Sequence, residues 1–269
     1  MKINRTLLVT LAVVLSALAG WRMVDAQDAP ALRYAPNEAF GFGEVLNYDV
    51  SYGFITAGTA TMAIDPGMQF AGGHKCYHMM FDVQSLKSFD WLYRVHDHYD
   101  TYIDIDGIYP LRFEQHIREG GYSRDFSADF DQRAHTVTTS EGQTFQTDEF
   151  VHDILSAYYF VRTVDLKNMH KDDVIHLHNF YKDKTYDLDV RVLGRQVIEV
   201  DAGKFRCVVI EPLVKEGGLF KSEGRIVIWL TDDERKIPVK VSTKVVIGSI
   251  DAVLTSYSGT RGPVDAKLD

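Results

Sequence analysis

The chain has almost no cysteine: Cys76 and Cys207 are its only two in 269 residues. A disulfide-dense scaffold is therefore excluded. One bridge between them would close a long loop and contribute about 4–5 kcal/mol in the chain-entropy picture. The expectation is instead two small buried thiols on separate strands. Other absences narrow the function. No glycine-rich phosphate loop occurs. The nearest stretch, Lys215-Glu216-Gly217-Gly218, carries an acid that repels phosphate and reads as a turn. No Gly-x-Ser-x-Gly elbow occurs either, since Ser156 sits in Asp153-Ile154-Leu155-Ser156-Ala157, and neither cysteine has an obvious neighbouring base. Nothing in the sequence calls for a cofactor. Positive charge is not in excess: the net charge is −9. An acidic surface disfavours nucleic acid and anionic lipid headgroups as partners, and favours solubility. The chain also lacks a run of ~20 apolar residues, which a spanning helix needs.

What is present begins with an export signal. Lys2 and Arg5 precede an apolar stretch from Leu7 to Ala19, and Val24-Asp25-Ala26 offers a cleavage site after Ala26. Ala17-Leu18-Ala19 is a second site, and an uncleaved anchor is the remaining alternative. No cysteine sits near the cut, so a lipoprotein route is closed. The expectation is a periplasmic protein with no stable membrane anchor after cleavage. Residues 1–26 hold Lys2, Arg5, Arg22 and Asp25, so the remainder stands near −11.

The remaining 243 residues suit one β-rich domain. Residues 27–43, with Pro30, Pro36, Phe40 and Phe42, read as a loosely attached arm, and residues 261–269 as a tail. Between them, over 44–260, short alternating runs recur: 46–52, 59–64, 75–84, 93–105, 110–119, 122–130, 134–139, 173–181, 185–193, 195–201, 204–212, 223–231, 236–247 and 250–258. Asp65-Pro66-Gly67, Asp106-Gly107, Gly120-Gly121 and Gly217-Gly218 punctuate them as turns. This is all-β grammar: one large curved antiparallel sheet, or unclosed barrel. One segment differs. Asp153 to Thr163 places Ile154, Ala157, Tyr158 and Val161 at helical spacing, with Asp153 as N-cap and Arg162 at the C-terminal end. One helix packed against the sheet is predicted.

Several blocks resemble a bacterial exported family known as domain of unknown function 3108. They are Gly43-Glu44-Val45-Leu46-Asn47-Tyr48 with Tyr52-Gly53-Phe54-Ile55-Thr56-Ala57-Gly58, then Val95, Asp97, Tyr99 and Ile103-Asp104 with Pro110. Asp153-Ile154-Leu155-Ser156 follows, through Tyr159 and Arg162. Ile228-Trp229-Leu230-Thr231-Asp232-Asp233, Ile237-Pro238-Val239 and Gly248 complete the set. The resemblance spans about residues 40–258 and implies no activity. The Trp229 hairpin is also similar to one in periplasmic lipoprotein carriers, which implies an unclosed barrel over an apolar cavity.

Side chains that could carry chemistry divide into two groups. His96 and His98 alternate on one strand, with Asp100 and Asp104 on the same face, and His176 and His178 repeat the spacing. Such pairs can ligate zinc if further ligands converge. Alternation alone also explains them as a wet face. Asp97 shares the other face with Val95, Tyr99, Thr101 and Ile103; a structural hydrogen-bond acceptor is expected there, and Arg162 is a candidate to pair with such an acid. The aromatics Phe89, Trp91, Tyr93, Tyr99, Tyr158 and Trp229 form the second group. With Asp97 and Arg162 they make the candidate ligand-binding set. The reading is a non-enzymatic binder of a lipid or acylated chain in the concavity. The alternatives are an envelope interaction module holding another envelope protein, and a metal-dependent hydrolase using the histidine pairs.

Overall fold

The computed structural model describes residues 32–91, 93–214, 224–245 and 248–269. The export signal and the turn at Gly217-Gly218 lie outside the described residues. The strands run β1 (Val45–Tyr52), β2 (Ile55–Ile64), β3 (Gln69–Ala71), β4 (His74–Ser85), β5 (His96–Asp104), β6 (Pro110–Glu119), β7 (Tyr122–Asp131), β8 (Thr136–Thr139) and β9 (Thr144–Gln146). Helix α1 (Ile154–Thr163) follows. Then come β10 (Val174–Tyr181), β11 (Lys184–Val200), β12 (Gly203–Val214), β13 (Ile226–Thr231), β14 (Pro238–Lys244), β15 (Ser249–Ser258) and β16 (Lys267–Leu268).

All these strands join one antiparallel sheet in the order β10-β11-β12-β13-β14-β15-β1-β2-β4-β5-β6-β7-β8-β9, with β16 on β12 and β3 on β4. The sheet is curved and does not close into a barrel. Its two ends meet through side chains: Phe180 of β10 packs edge-on against Phe130 of β7, with ring centroids 6.2 Å apart, and against Phe145 of β9 at 5.7 Å. His152 adds backbone bonds at this seam, donating to His178 and accepting from Phe180.

Alternation decides which face turns inward. Leu46 and Tyr48 of β1, and Ala60, Met62 and Ile64 of β2, are buried, while their neighbours are half-exposed. The sequence pattern predicts two strands over 185–193 and 195–201. The structure has one, β11, because the register shift between Val192 and Gly194 is a bulge. Gly194 adopts φ 129°, which a side chain would disfavour, so the strand bends without ending.

Helix α1 sits inside the curve. Asp153 caps it as the sequence predicts: its carboxylate accepts from the Leu155 and Ser156 N–H groups at 2.8 and 2.9 Å, and from the Thr101 hydroxyl of β5 at 2.7 Å. The helix feeds three core clusters. Tyr159 packs with Phe40, Tyr77 and Ile237; Ala157 and Val161 pack on β10 to β13; Ile154 meets Phe113, Phe126 and Phe180.

Arg162 fixes the other end of the helix. Its guanidinium is fully buried and bidentate with Glu44, at 2.6 and 2.9 Å. It also donates to the carbonyls of Ala39 and Arg235, and lies 5.2 Å from the Phe40 ring centroid. Burial alone would lower its pKa, but Glu44 outweighs burial and holds the cation charged. Asp97 is therefore not its partner: that carboxylate is a structural acceptor, taking the Arg118 N–H at 2.9 Å.

Two terminal expectations are corrected. The described part of the arm is docked, since Ala39 and Phe40 are fully buried and Arg33 donates to the Gly107 and Ile108 carbonyls while stacking on Phe150 and Phe160. Aromatic burial outweighs the looseness suggested by its prolines. The tail is not free either, because β16 pairs with β12 and Ala266 is buried.

Replacing Glu44 by Ala leaves a buried unpaired cation. Urea unfolding is expected to show a loss of about 3–5 kcal/mol, with the double variant Glu44→Leu/Arg162→Met recovering most of it. Equal losses in the single and double variants would contradict this role for the pair.

Candidate functional site

The helix does not fill the concavity. Two hollows remain on either side of its first turn. The first, about 280 Å³, lies between α1 and the inner faces of β1, β2 and β11 to β15. Of its 19 lining residues, only Tyr48, Tyr158 and Thr243 carry polar groups. The Tyr48 hydroxyl is already committed, donating to the Pro238 carbonyl at 2.9 Å. The other walls are apolar, mainly aliphatic, with Leu188, Val190, Ile210, Ile226, Ile228 and Leu230 among them and Phe81 the one further aromatic. The second hollow, also about 280 Å³, lies against β4 to β7 and β10 and is more mixed, with Tyr99, Phe126 and Phe180 beside Gln115, Arg124 and Lys182. Phe81, Ile154 and Leu155 line both.

Such a surface offers contact area and almost no hydrogen bonds. It can hold a hydrocarbon and would leave most polar ligands unsatisfied. One orphan stands beside it. The Tyr158 ring lines the first hollow, while its buried hydroxyl has no partner among the described residues. Burial pushes that phenol far up in pKa, and the neighbouring Arg162 offsets it only in part.

The candidate ligand set is not gathered in one place. Tyr158 and Tyr99 line the hollows. Arg162 and Asp97 serve the framework. Phe89, Trp91 and Tyr93 lie in the connection after β4, where Trp91 is 82% and Tyr93 54% exposed. Trp229 is on the outer face, donating its Nε1–H to Gln196 at 2.8 Å beneath the Lys240 ammonium. Aromatic count thus pointed past the aliphatic walls. The signal for those was the alternation of Val, Ile and Leu along β11 to β13.

Both cysteines are free and buried, Cys76 on β4 and Cys207 on β12, and burial pushes each thiol up to about 12. The histidine pairs point outward from β5 and β10, away from the hollows. His96 is exposed. His98 is held by Asp82 at 2.6 Å and Asp100 at 2.8 Å, and His176 by Asp189 at 2.8 Å. His178 lies 3.5 Å from Asp187. Among the described residues no group of three or more His, Cys, Asp or Glu could hold a metal ion. What β4 and β5 carry instead is a ladder in which Asp100 joins His78 and His98.

Burial opposes charge at both His98 and Asp100, but the hydrogen bond to Asp82 and the charge of Asp100 raise the His98 pKa, while the hydrogen bond from His78 and the charge of His98 lower that of Asp100. The sign follows by linkage. His98 stabilises below its ordinary 6.5 and loses this as pH rises through its raised value. Asp100 stabilises above 3.8 and loses this as pH falls through its lowered value. The ladder therefore contributes most between those two pH values. An NMR titration should place the His98 imidazole above 6.5 in the parent, and Asp100→Asn should bring it down. An unmoved titration would remove the ladder.

The architecture has known counterparts. The family described as protein of unknown function (DUF3108) matches residues 47–255. A comparison with curated proteins gives no match. Among solved structures, a β-barrel-like protein of domain of unknown function DUF1849 from Brucella abortus is similar. It has a TM-score of 0.53 at 13% identity, with 82% of this chain and 99% of that one covered. A hypothetical protein of Chlamydia trachomatis aligns over 85% of this chain and 92% of its own, at 9% identity and a TM-score of 0.37. At these identities the first likeness speaks for the fold alone. With a curved sheet, an inner helix and the family match over most of its length, the chain belongs to the DUF3108 family of proteins of unknown function.

Proposed function

We propose that this protein binds an apolar, lipid-like ligand in the concavity of its sheet, without catalysis, and does so in the periplasm after export. The observation that carries the reading is the aliphatic lining of the first hollow. A wall of Val, Ile and Leu with one committed phenol is costly to leave facing water, and a hydrocarbon would satisfy it. The two hollows share Phe81, Ile154 and Leu155, so an elongated chain could pass the start of the helix from one to the other. The unpartnered Tyr158 hydroxyl is a candidate handle for one polar atom of the ligand.

A fluorescent fatty-acid probe tests this. The chain should bind it saturably. Ala60 and Ala252 face the hollow from neighbouring parts of the sheet. Filling it with Ala60→Phe/Ala252→Phe should weaken probe binding about tenfold or more, at a stability cost of about 1–3 kcal/mol. A filled variant that is folded and still binds the probe like the parent would refute the site.

A further inference from the structure

The strand connections at one end of the sheet expose large apolar side chains where turns are ordinarily polar. The β1–β2 turn presents Tyr52, Phe54 and Ile55, with Phe54 98% exposed. The connection after β4 presents Trp91 and Tyr93, and the β6–β7 turn presents Tyr122 at 54%. Ile250 opens β15. Register places these tips side by side: Tyr52 pairs with Ile250, Gly58 with Ser85, and Val95 with Glu119. Contacts make the row continuous. The Gly53 N–H donates to Ser249, Leu86 to Ala57, and Gly120 to Arg94. The Tyr93 ring covers Gly120 so closely that an added Cβ would lie 2.8 Å from it.

This end is also where the first hollow comes nearest the edge. Thr243 lines it and pairs with Ile250, while Ala252 lines it and pairs with Val50. The opposite end is closed by Phe40, Tyr77, Ile108 and Ile237.

Charge selects the occupant. In these connections the exposed charged side chains among the described residues are Lys87, Arg94 and Lys244, all positive. Asp90 and Glu119 are half-buried, and Asp90 accepts from Ser85. Beside the tips, Arg94, His96, Tyr122 and Ser123 line an open groove of about 330 Å³. The acidic net charge suggests repulsion from anionic headgroups. With screening over about 8 Å at physiological salt, the local cations decide at contact.

We infer that this rim docks on a phospholipid bilayer surface, its aromatic tips entering the interface and Arg94 meeting headgroup phosphate. Trp, Tyr and Phe on separate projecting turns suit the headgroup boundary, where an apolar body and a polar tip are both satisfied. The inference rests on the lipid-site reading of the concavity, since docking there would bring a bilayer to the end nearest Thr243 and Ala252.

The test uses residues 27–269, which contain every described strand, the helix and all core clusters. Vesicles are equimolar phosphatidylethanolamine and phosphatidylglycerol, with pure phosphatidylcholine as comparison. The parent should float with the anionic vesicles, and Trp91 emission should shift to the blue. Phe54→Ser/Trp91→Ser should cut vesicle binding about tenfold or more. Both side chains are exposed, so its thermal unfolding should match the parent's. Arg94→Glu should weaken binding to anionic vesicles more than binding to phosphatidylcholine. A parent that stays in solution, or variants that float like it, overturns the docking surface. Probe binding separates the two readings. Probe bound without vesicle binding sinks the docking alone; rim-dependent vesicle binding without probe sinks the cavity alone.

Discussion

The buried bond between Arg162 and Glu44 sets the geometry on which everything else stands. It ties the last turn of the helix to the residue just before β1, and through the Ala39 and Arg235 carbonyls to the arm and to the turn before β14. Desolvation offsets most of the attraction in such a pair, so its effect is on placement more than on net stability. A bidentate fork allows one arrangement, where a greasy contact would allow several. Asp153 does the same at the first turn, by joining the helix start to Thr101 of β5. The helix is thus held at both ends by polar bonds, while Ala157, Tyr159 and Val161 in its middle pack into the core.

The hollow lies beside a helix fixed in this way. An inner helix held only by apolar contact would settle until the space closed, because interiors pack densely. Here the closed end of the sheet is filled by the arm and its Phe40, while the other end keeps an aliphatic hollow. An apolar hollow of this size has few groups to hold water, so it stays available to hydrocarbon. The outward histidines, each engaged by an acid except for exposed His96, belong to the surface.

Much of this was legible in the sequence because period-two alternation is a local property. Most strands, the helix and its Asp153 cap follow from neighbouring residues, whereas the short β3, β9 and β16 carry no such pattern. The partner of Arg162 did not, since Glu44 lies 118 positions away and no pattern links them. The bulge at Gly194 was read as a break because a glycine in a strand signals both. The arm looked loose because its anchors, Phe40 and Arg33, find their partners only in the folded sheet. The lining of the hollow was the least legible part. Aromatics draw attention in a sequence, yet Trp91 and Trp229 face outward, and the hollow is walled by aliphatics that look like ordinary core. Whether a Val faces a neighbour or a void is decided by where the helix stops, which is a long-range fact.

The central claim is that the concavity is occupied by lipid in the cell. Native mass spectrometry of the protein, purified without detergent from the periplasm of a producing bacterium, addresses it most directly. The account predicts an adduct of lipid mass that is released on denaturation and extracted by organic solvent. A chain that carries only its own mass, and remains so after incubation with a lipid extract, would contradict it.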